Sequence, residues 1–262
     1  MLVNLLIGLC FLIPIAIVSF LLPFPIVSRA SFFLVDFFYR WCVWVDSFWM
    51  QQVVGIELEI VGEENSHPAP IVICNHESWF DIPLIQHVIT NRGPIIKFLV
   101  KQELVWVPVI GWICIVLDFP RLKRSKKRGD RKTDVTLIEK ATKSRGKNGA
   151  LLIFPEGTRF TEGKHERQQS PYQRLLKPRA GGLRIIKNNT DLTTPLIDIT
   201  IDYGGGKTSI WKCLQGNPRK IRITIEHFTL ADLDDVEAWL NQRWYEKDAI
   251  LTAQYKHSKE CL

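Results

Sequence analysis

Apolar and polar residues alternate along the chain in blocks that predict an α/β fold. Short apolar runs bounded by turn residues predict strands, and segments with helical periodicity, such as Asp134 to Ser144, lie between them. The predicted strands are Leu58–Val61, Ile71–Cys74, Ile95–Val100, Ile113–Leu117, Leu151–Phe154, Leu196–Ile201 and Ile221–Ile225, and further helices are predicted over 79–90 and 232–250. This alternation favours a mostly parallel or mixed central sheet flanked by helices. We predict one globular domain over residues 57–262, preceded by an N-terminal membrane-anchoring segment over residues 1–56.

The start of the chain is apolar enough to enter a membrane. Residues 1–28 contain no charged side chain, and the stretch 5–22 is interrupted only by Gly8, Pro14 and Ser19. A helix needs about 20 apolar residues to span a bilayer. A cleavable signal peptide is the alternative, but the basic n-region and a small-residue cleavage site are missing. We therefore predict a transmembrane helix over about 5–22.

Residues 31–53 combine many aromatic side chains with a polar stripe. Asp36, Arg40, Ser47 and Gln51 recur at spacings of 4, 7 and 4, which places them along one side of a helix. Such a helix can lie in the membrane interface. It can equally pack on the core of the domain, and the sequence leaves both interpretations open.

The charge of the chain favours anionic partners. The formal net charge is +7, and the run Arg121 to Lys132 holds eight basic residues with only Asp130 opposing them. For an anchored chain, an anionic leaflet or coenzyme phosphates suit this run better than nucleic acid, although a solvated loop explains it as well. The basic residues follow the apolar segment, so the positive-inside rule predicts a cytoplasmic domain. The six cysteines are scattered without a C-x-x-C pair, which indicates reduced thiols and no metal site.

The segment Asn75-His76-Glu77-Ser78-Trp79-Phe80-Asp81 follows a predicted buried strand. His76 would lie in the turn before the next helix, where a neutral imidazole can accept a proton from a hydroxyl near pH 7. Asp81 would hold the second ring nitrogen and stabilise the imidazolium. The alternative is structural, because Ser78-x-x-Asp81 is also a capping box for that helix.

The segment Phe154-Pro155-Glu156-Gly157-Thr158-Arg159 follows a second apolar run. It can be no more than the exit turn of a strand. Alternatively, Arg159 can bind phosphate through two donors, with Thr158 and exposed backbone N–H groups adding others. Glu156 would repel a phosphate, so its role would be to orient an arginine or to bond a substrate hydroxyl.

Together the two motifs resemble the glycerol-3-phosphate and 1-acylglycerol-3-phosphate acyltransferases, the PlsC-like family with an HX4D motif. Further similarities are Lys101-Gln102-Glu103-Leu104, Pro108-x-x-Gly111, Lys177-Pro178-Arg179-Ala180-Gly181 and Pro195, so that the resemblance covers about residues 70–200. The aromatic N-terminus and the segment Trp106-Val107-Pro108 are most similar to its bacterial YihG-type branch. The resemblance implies that His76 is the general base and Asp81 its partner. It also implies that the acceptor phosphate region is bound by Glu156, Gly157, Thr158 and Arg159.

The family usually has a Phe-x-x-Arg element between the two motifs, and here the sequence departs from it. The corresponding stretch is Asp118-Phe119-Pro120-Arg121-Leu122-Lys123-Arg124. We select Arg121 as the second phosphate ligand, with Arg124 in reserve, and Lys101 as a further substrate-binding residue. A solvated basic loop is the alternative for both arginines.

The predicted function is transfer of a fatty acyl group to the free hydroxyl of a lysophospholipid such as 1-acylglycerol-3-phosphate. The donor would be acyl-CoA or acyl carrier protein, acting as a substrate, with no cofactor and no metal. The expected location is a bacterial inner membrane, in contact with its lipids and with the catalytic domain on the cytoplasmic side. Two weaker alternatives are a lipid hydrolase that uses Ser78 and a nucleotide-binding protein that uses Gly206-Lys207-Thr208, where the first glycine of a P-loop is missing.

Overall fold

The computed structural model describes residues 2–22, 24–64, 67–91, 93–117, 119–123, 128–144, 149–204 and 208–260. The helices are α1 (Leu2–Leu21), α2 (Pro25–Phe48), α3 (Asp81–Thr90), α4 (Ile110–Val116), α5 (Arg128–Ser144), α6 (Glu162–Gln168), α7 (Gly181–Asn188), α8 (Ile210–Leu214) and α9 (Val236–Glu260). The strands are β1 (Glu57–Val61), β2 (Ile71–Cys74), β3 (Ile95–Phe98), β4 (Val100–Lys101), β5 (Arg121–Leu122), β6 (Gly149–Ile153), β7 (Pro195–Asp202) and β8 (Lys220–Thr229). One π-helical turn, Trp49–Val53, and two 3₁₀ turns, Gln102–Trp106 and Leu230–Asp232, complete the described elements.

Six of the strands form one mixed sheet in the order β1-β8-β7-β2-β6-β3. All neighbouring pairs are parallel except β7 and β8, which are antiparallel. The prediction of an α/β fold with a mostly parallel or mixed sheet is therefore confirmed. β4 and β5 form a separate parallel pair.

The core explains why the central strands appear in the sequence as unbroken apolar runs. Successive side chains of a strand point to opposite faces of the sheet. In β2, Val72 and Cys74 join one buried cluster with Phe80 of the turn before α3, whereas Ile71 and Ile73 join another with Trp244 of α9. Both faces of β2 are thus covered, as is usual for parallel strands.

Two strand predictions are wrong. The run Ile113–Leu117 lies mostly in helix α4 rather than in a strand. A short apolar run does not distinguish a buried strand from a buried helix, and here the helix passes so close to the preceding 3₁₀ turn that a Cβ on Gly111 would lie 2.1 Å from the Val105 carbonyl oxygen. The predicted strand Ile95–Val100 is divided, because Val100 leaves the main sheet and donates its N–H to the Pro120 carbonyl at 3.0 Å.

The two N-terminal helices pack against each other and against the domain. Asn4 donates to the Cys42 carbonyl at 2.8 Å, and the rings of Phe11 and Phe38 stack at 4.5 Å. α1 also contacts α4. The segment Val3–Leu21 is long and apolar enough to cross a membrane, by length and composition alone.

The polar stripe of α2 faces α3. Arg40 donates to the carbonyl oxygens of Thr90 and Gly93 at 3.1 and 2.9 Å, and the Ser47 hydroxyl lies 3.0 Å from Nδ1 of His87. A helix end has carbonyl groups without partners inside the helix, and Arg40 satisfies one of these at the end of α3. The stripe therefore packs on the domain, as one of the two open interpretations predicted.

The aromatic side of the same helix remains uncovered. Five of its aromatic residues are between 51% and 69% exposed, namely Phe32, Phe33, Phe37, Trp44 and Phe48. An exposed apolar patch of this kind marks a surface that contacts a membrane or another protein. Packing of the stripe on the domain thus leaves the aromatic face available.

Candidate active site

The candidate site lies where three neighbouring strands end. β2 is parallel to β6 on one side and to β7 on the other, so their carboxyl ends share one edge of the sheet. His76 follows β2, the segment from Phe154 to Arg159 follows β6, and Tyr203 follows β7. Ligands of open α/β sheets bind at this edge.

His76 and Asp81 are in direct contact. Nδ1 of His76 lies 2.7 Å from Oδ2 of Asp81. His76 lies in the turn before α3, and Asp81 is the first residue of that helix. The contact that the sequence spacing required is present, because the imidazole is outside the helix. Since Asp81 is an acceptor, Nδ1 bears the proton of a neutral imidazole and Nε2 is the nitrogen that is free to accept one.

The Asp81 carboxylate has four donors around it. Oδ2 also accepts the backbone N–H groups of Glu77 and Ser78, at 2.8 and 3.0 Å, and Oδ1 accepts the Tyr203 hydroxyl at 2.5 Å. The Ser78 bond is one half of the predicted capping box. One carboxylate therefore closes the turn before α3 and holds His76 at the same time.

The imidazole is held on its other sides as well. Its ring stacks on Phe154 with 3.9 Å between the ring centroids. The His76 N–H donates to Oε1 of Glu156 at 3.0 Å, and the His76 carbonyl accepts the N–H of Phe160 at 2.7 Å. The second motif thus fixes the backbone and the ring plane of the first, although 80 residues separate His76 from Glu156.

Glu156 is a buried residue whose carboxyl group connects two segments of the backbone. Besides the His76 N–H, its carboxyl group accepts the N–H of Leu176 at 3.2 Å. Burial raises the pKa of Glu156 to about 8, with a smaller contribution from Asp81, while the two backbone bonds act in the opposite direction. The side chain is fully buried and positions His76 and the loop that precedes α7, so it is not exposed to contact a ligand itself.

Basic side chains lie near the segment that contains Glu156. Lys164 of α6 donates to the Thr158 hydroxyl at 2.9 Å and to the Arg159 carbonyl at 2.8 Å. The pKa of Lys164 is lowered by partial burial and then by the positive charges of Arg159 and Lys101. Arg159 and Lys101 are close enough to Lys164 to affect its charge, and such a group of cations is an attractive site for a phosphate.

The Arg159 side chain is positioned by an aromatic ring. Its guanidinium carbon lies 4.9 Å from the centroid of the Trp79 ring, within the range of a cation–π contact. Gly157 allows the turn that brings Arg159 there, because its φ of +70° is one that residues with a Cβ seldom adopt. The segment from Lys177 to Gly181 supports the same turn, because the Arg179 N–H donates to the Pro155 carbonyl at 2.9 Å.

A second carboxyl group with an unusual pKa adjoins the base. Burial raises the pKa of Glu77 to about 8, and the negative charges of Asp81 and Asp202 add to this effect, while Arg174 opposes it. A raised pKa favours the neutral form of Glu77, which limits the negative charge that it places beside His76.

The remaining predicted residues lie elsewhere or outside the described part of the chain. Arg121 is in β5, paired beside Val100, and lines a separate cleft whose lining includes neither His76 nor Arg159. Ser78 is 2% exposed and accepts the Phe80 N–H at 3.2 Å, which places its hydroxyl inside the turn. Arg124, Gly206 and Lys207 lie outside the described residues.

Sequence reasoning missed Tyr203, Lys164 and Trp79. Tyr203 and Lys164 reach the site from loops and helices beyond both motifs, and no spacing rule connects them with His76. Trp79 was visible inside the first motif, and an aromatic residue near a predicted arginine site is the signal that would have indicated its contact with Arg159.

A histidine in contact with a carboxylate beside a cationic cluster, at the carboxyl edge of an α/β sheet, is typical of a class of enzymes in which a base accepts a proton from an anionic substrate. Comparisons with known proteins narrow this class. A sequence profile described as Acyltransferase matches residues 57–201, which is more than half of the chain. The chain therefore belongs to the Acyltransferase family.

Several relatives of the chain are 1-acyl-sn-glycerol-3-phosphate acyltransferases by name. Human 1-acyl-sn-glycerol-3-phosphate acyltransferase gamma is 30% identical over 210 residues, covering 74% of this chain and 54% of its own. The human delta enzyme is 29% identical over 212 residues, with the same coverage, and the 1-acyl-sn-glycerol-3-phosphate acyltransferase of Cocos nucifera is 28% identical over 185 residues, covering 71% and 53%. The chain thus spans about half the length of these curated relatives.

A solved structure supports the fold. The 1-acyl-sn-glycerophosphate acyltransferase PlsC from Thermotoga maritima matches with a TM-score of 0.55 over 96% of this chain and 97% of its own, at 17% identity. The match extends over the N-terminal helices, which the family profile does not cover.

Proposed function

We propose that the protein transfers a fatty acyl group from an acyl thioester to the free hydroxyl of a lysophospholipid such as 1-acylglycerol-3-phosphate. The observation that supports this most strongly is the contact of His76 with Asp81 beside the cations Arg159, Lys164 and Lys101. Membership of the Acyltransferase family and the names of its relatives support the same reaction.

The proposed chemistry requires one base and no covalent enzyme intermediate. Nε2 of His76 accepts the proton of the acceptor hydroxyl as its oxygen attacks the thioester carbonyl carbon. The tetrahedral intermediate collapses, the carbon–sulfur bond breaks, and the imidazolium returns its proton to the leaving thiolate. The products are an ester and a free thiol. Asp81, which contacts Nδ1 of His76, stabilises the imidazolium between these steps.

The acceptor phosphate would lie on the cationic cluster. Arg159 offers a planar pair of donors, and Lys164 and Lys101 add point charges. A phosphate held there would place the glycerol part of the acceptor near the imidazole, because the same turn that bears Arg159 contacts the backbone of His76.

We further propose that α1 and the aromatic face of α2 attach the protein to a membrane. The aromatic residues of α2 are exposed, α1 is uncharged and mostly apolar, and lysophospholipids are themselves found in membranes. Anchoring would concentrate enzyme and acceptor on one surface. We propose acyl-CoA or acyl carrier protein as the donor. We also propose that the domain lies on the cytoplasmic side of a bacterial inner membrane, because the basic residues follow the apolar segment.

Thiol release by purified full-length protein tests the proposal. Acyl-CoA is offered with a panel of lysophospholipids that differ in headgroup, and the lipid product is identified by mass spectrometry. We expect thiol release that depends on the acceptor, strongest with a phosphate monoester headgroup, together with a diacylated product. Free fatty acid as the only acyl product would instead indicate hydrolysis, and thiol release without any dependence on acceptor would contradict the proposed reaction.

A further inference from the structure

The structure has a second basic surface, which does not include His76 or Arg159. It is a cleft of about 480 Å³, within the usual size range of small-ligand sites. Four cations line it: Lys97, Arg121, Lys123 and Lys140. Its other walls include the aromatic residues Trp106 and Phe119, and no acidic residue is among the described residues that line it.

The fold assembles this cleft from distant parts of the chain. Lys97 belongs to β3, Arg121 to β5 and Lys140 to α5. Arg121 and Lys123 fall within the basic run of the sequence, whereas Lys97 and Lys140 do not. A solvated loop explains the run but not the convergence of cations from separate elements around one concavity. The backbone beside Arg121 is also anchored, since the Lys123 N–H donates to Oδ1 of Asp134 at 2.8 Å.

The lining fits a ligand that bears several phosphates and a flat base. Lysines and an arginine attract phosphates as point charges and as a planar donor pair, respectively. Trp106 is 85% exposed at the cleft and offers an open ring face on which a base can stack. A lipid headgroup would use the charges but would leave this ring without a planar partner.

The cleft also adjoins the acceptor site. Lys101 is directly followed by Gln102, which lines the cleft, and the charge of Lys101 reaches Lys164 beside Arg159. A ligand with its phosphates in the cleft can therefore extend towards His76. An acyl-CoA molecule has this form, with phosphates and adenine at one end and the thioester at the other.

We propose that this cleft binds the phosphorylated adenosine end of the acyl-CoA donor. The inference rests on the proposed acyl transfer, because that reaction needs a thioester donor. The proposal gives Arg121 a contact with the donor. The family resemblance in the sequence had instead suggested that Arg121 binds the phosphate of the acceptor.

Direct binding tests the proposal without turnover. Calorimetry on the full-length protein measures binding of CoA and of adenosine 3′,5′-bisphosphate. Lys140→Gln should weaken both by about tenfold, because each loses one charge-assisted contact with phosphate. Lys143→Gln is the matched control, since Lys143 is an exposed lysine of the same helix that does not line the cleft. Equal binding by Lys140→Gln, Lys97→Gln and wild type would overturn the proposal.

A second variant tests the stacking of the base. Trp106→Leu should weaken binding of adenosine 3′,5′-bisphosphate by about tenfold while leaving that of inorganic pyrophosphate unchanged. Equal loss for both probes, or for neither, would contradict a base stacked on Trp106.

Two further measurements separate the donor from other phosphates and from the main proposal. If Lys140→Gln loses affinity for phosphatidylglycerol vesicles but keeps its affinity for CoA, the cleft binds the lipid surface and the proposal is wrong. In kinetic assays, Lys140→Gln should raise KM for acyl-CoA and leave KM for the acceptor unchanged. A rise in KM seen only with acyl carrier protein as donor would also overturn the proposal. Failure of acyl transfer itself would appear in the wild type, while CoA binding would persist.

Discussion

Replacement of Asp81 by asparagine separates the two tasks of its carboxylate. Oδ2 accepts two backbone N–H groups and faces His76, and Oδ1 accepts the Tyr203 hydroxyl. In Asp81→Asn the amide oxygen can take the place of Oδ2 and keep all three neighbours. The new NH₂ group then faces Tyr203, whose hydroxyl can rotate to accept from it. The hydrogen-bond pattern survives, and what disappears is the negative charge.

The two effects have different magnitudes. Hydrogen bonds to a neutral amide are weaker than those to a carboxylate, so we expect a loss of about 1 kcal/mol in the free energy of unfolding. The imidazolium loses more. Opposite charges about 4 Å apart interact by about 4 kcal/mol at an effective dielectric constant near 20, which corresponds to about three powers of ten in rate. We therefore expect kcat to fall by about a hundredfold to a thousandfold in a folded protein.

Asp81→Ala provides the structural comparison. It leaves two backbone N–H groups and the Tyr203 hydroxyl without their acceptor, which should cost about 3 kcal/mol of stability or more. Thermal melts and thiol release are measured on wild type and both variants. If Asp81→Asn melts slightly lower but turns over at the wild-type rate, the carboxylate serves only as a cap, and the reasoning about the imidazolium is refuted.

Three further predictions concern the phosphate, the membrane and pH. Arg159→Lys keeps the charge but loses the planar donor pair, so KM for a phosphorylated acceptor should rise more than KM for the acyl donor; equal changes would argue against a phosphate contact. A shortened protein that begins at Ser28 should leave membranes in carbonate more readily than the full chain, and equal extraction would exclude anchoring by α1. The free energy of unfolding should fall from about pH 5 to 8, because burial raises the pKa of Glu156 to about 8 and the folded chain keeps a proton that the unfolded chain releases. Burial of Glu77 acts in the same direction, so Glu156→Gln should make that slope shallower without removing it, and an unchanged slope would show that Glu156 does not contribute.

Local patterns in the sequence were enough to predict the elements that hold the two motifs. The apolar run Ile71–Cys74 is a buried strand with the predicted bounds, because both of its faces are covered and turn residues flank it. The adjacent turn holds His76 against Asp81, as the spacing required. The YihG-type branch and the division into an anchor over residues 1–56 and a domain from residue 57 remain predictions.

Contacts between distant segments could not be predicted in the same way. The run Ile113–Leu117 lies mostly in helix α4, and a short apolar run does not by itself distinguish a buried helix from a buried strand. Tyr203 reaches Asp81 only because β7 lies beside β2, so the order of strands in the sheet decides that contact. Lys164 joins Arg159 for a similar reason, since α6 folds back over the turn after β6.

The general-base role of His76 is tested most directly by His76→Ala. This change leaves Asp81 with its backbone donors and Tyr203, so the turn before α3 should remain closed and the protein should melt near the wild-type temperature. Thiol release from acyl-CoA with 1-acylglycerol-3-phosphate as acceptor should then be abolished, and adding Asp81→Asn to this variant should lower the rate little further, because the two residues act as one unit. A soluble His76→Ala protein that melts normally and still forms diacylated product at the wild-type rate would contradict the mechanism.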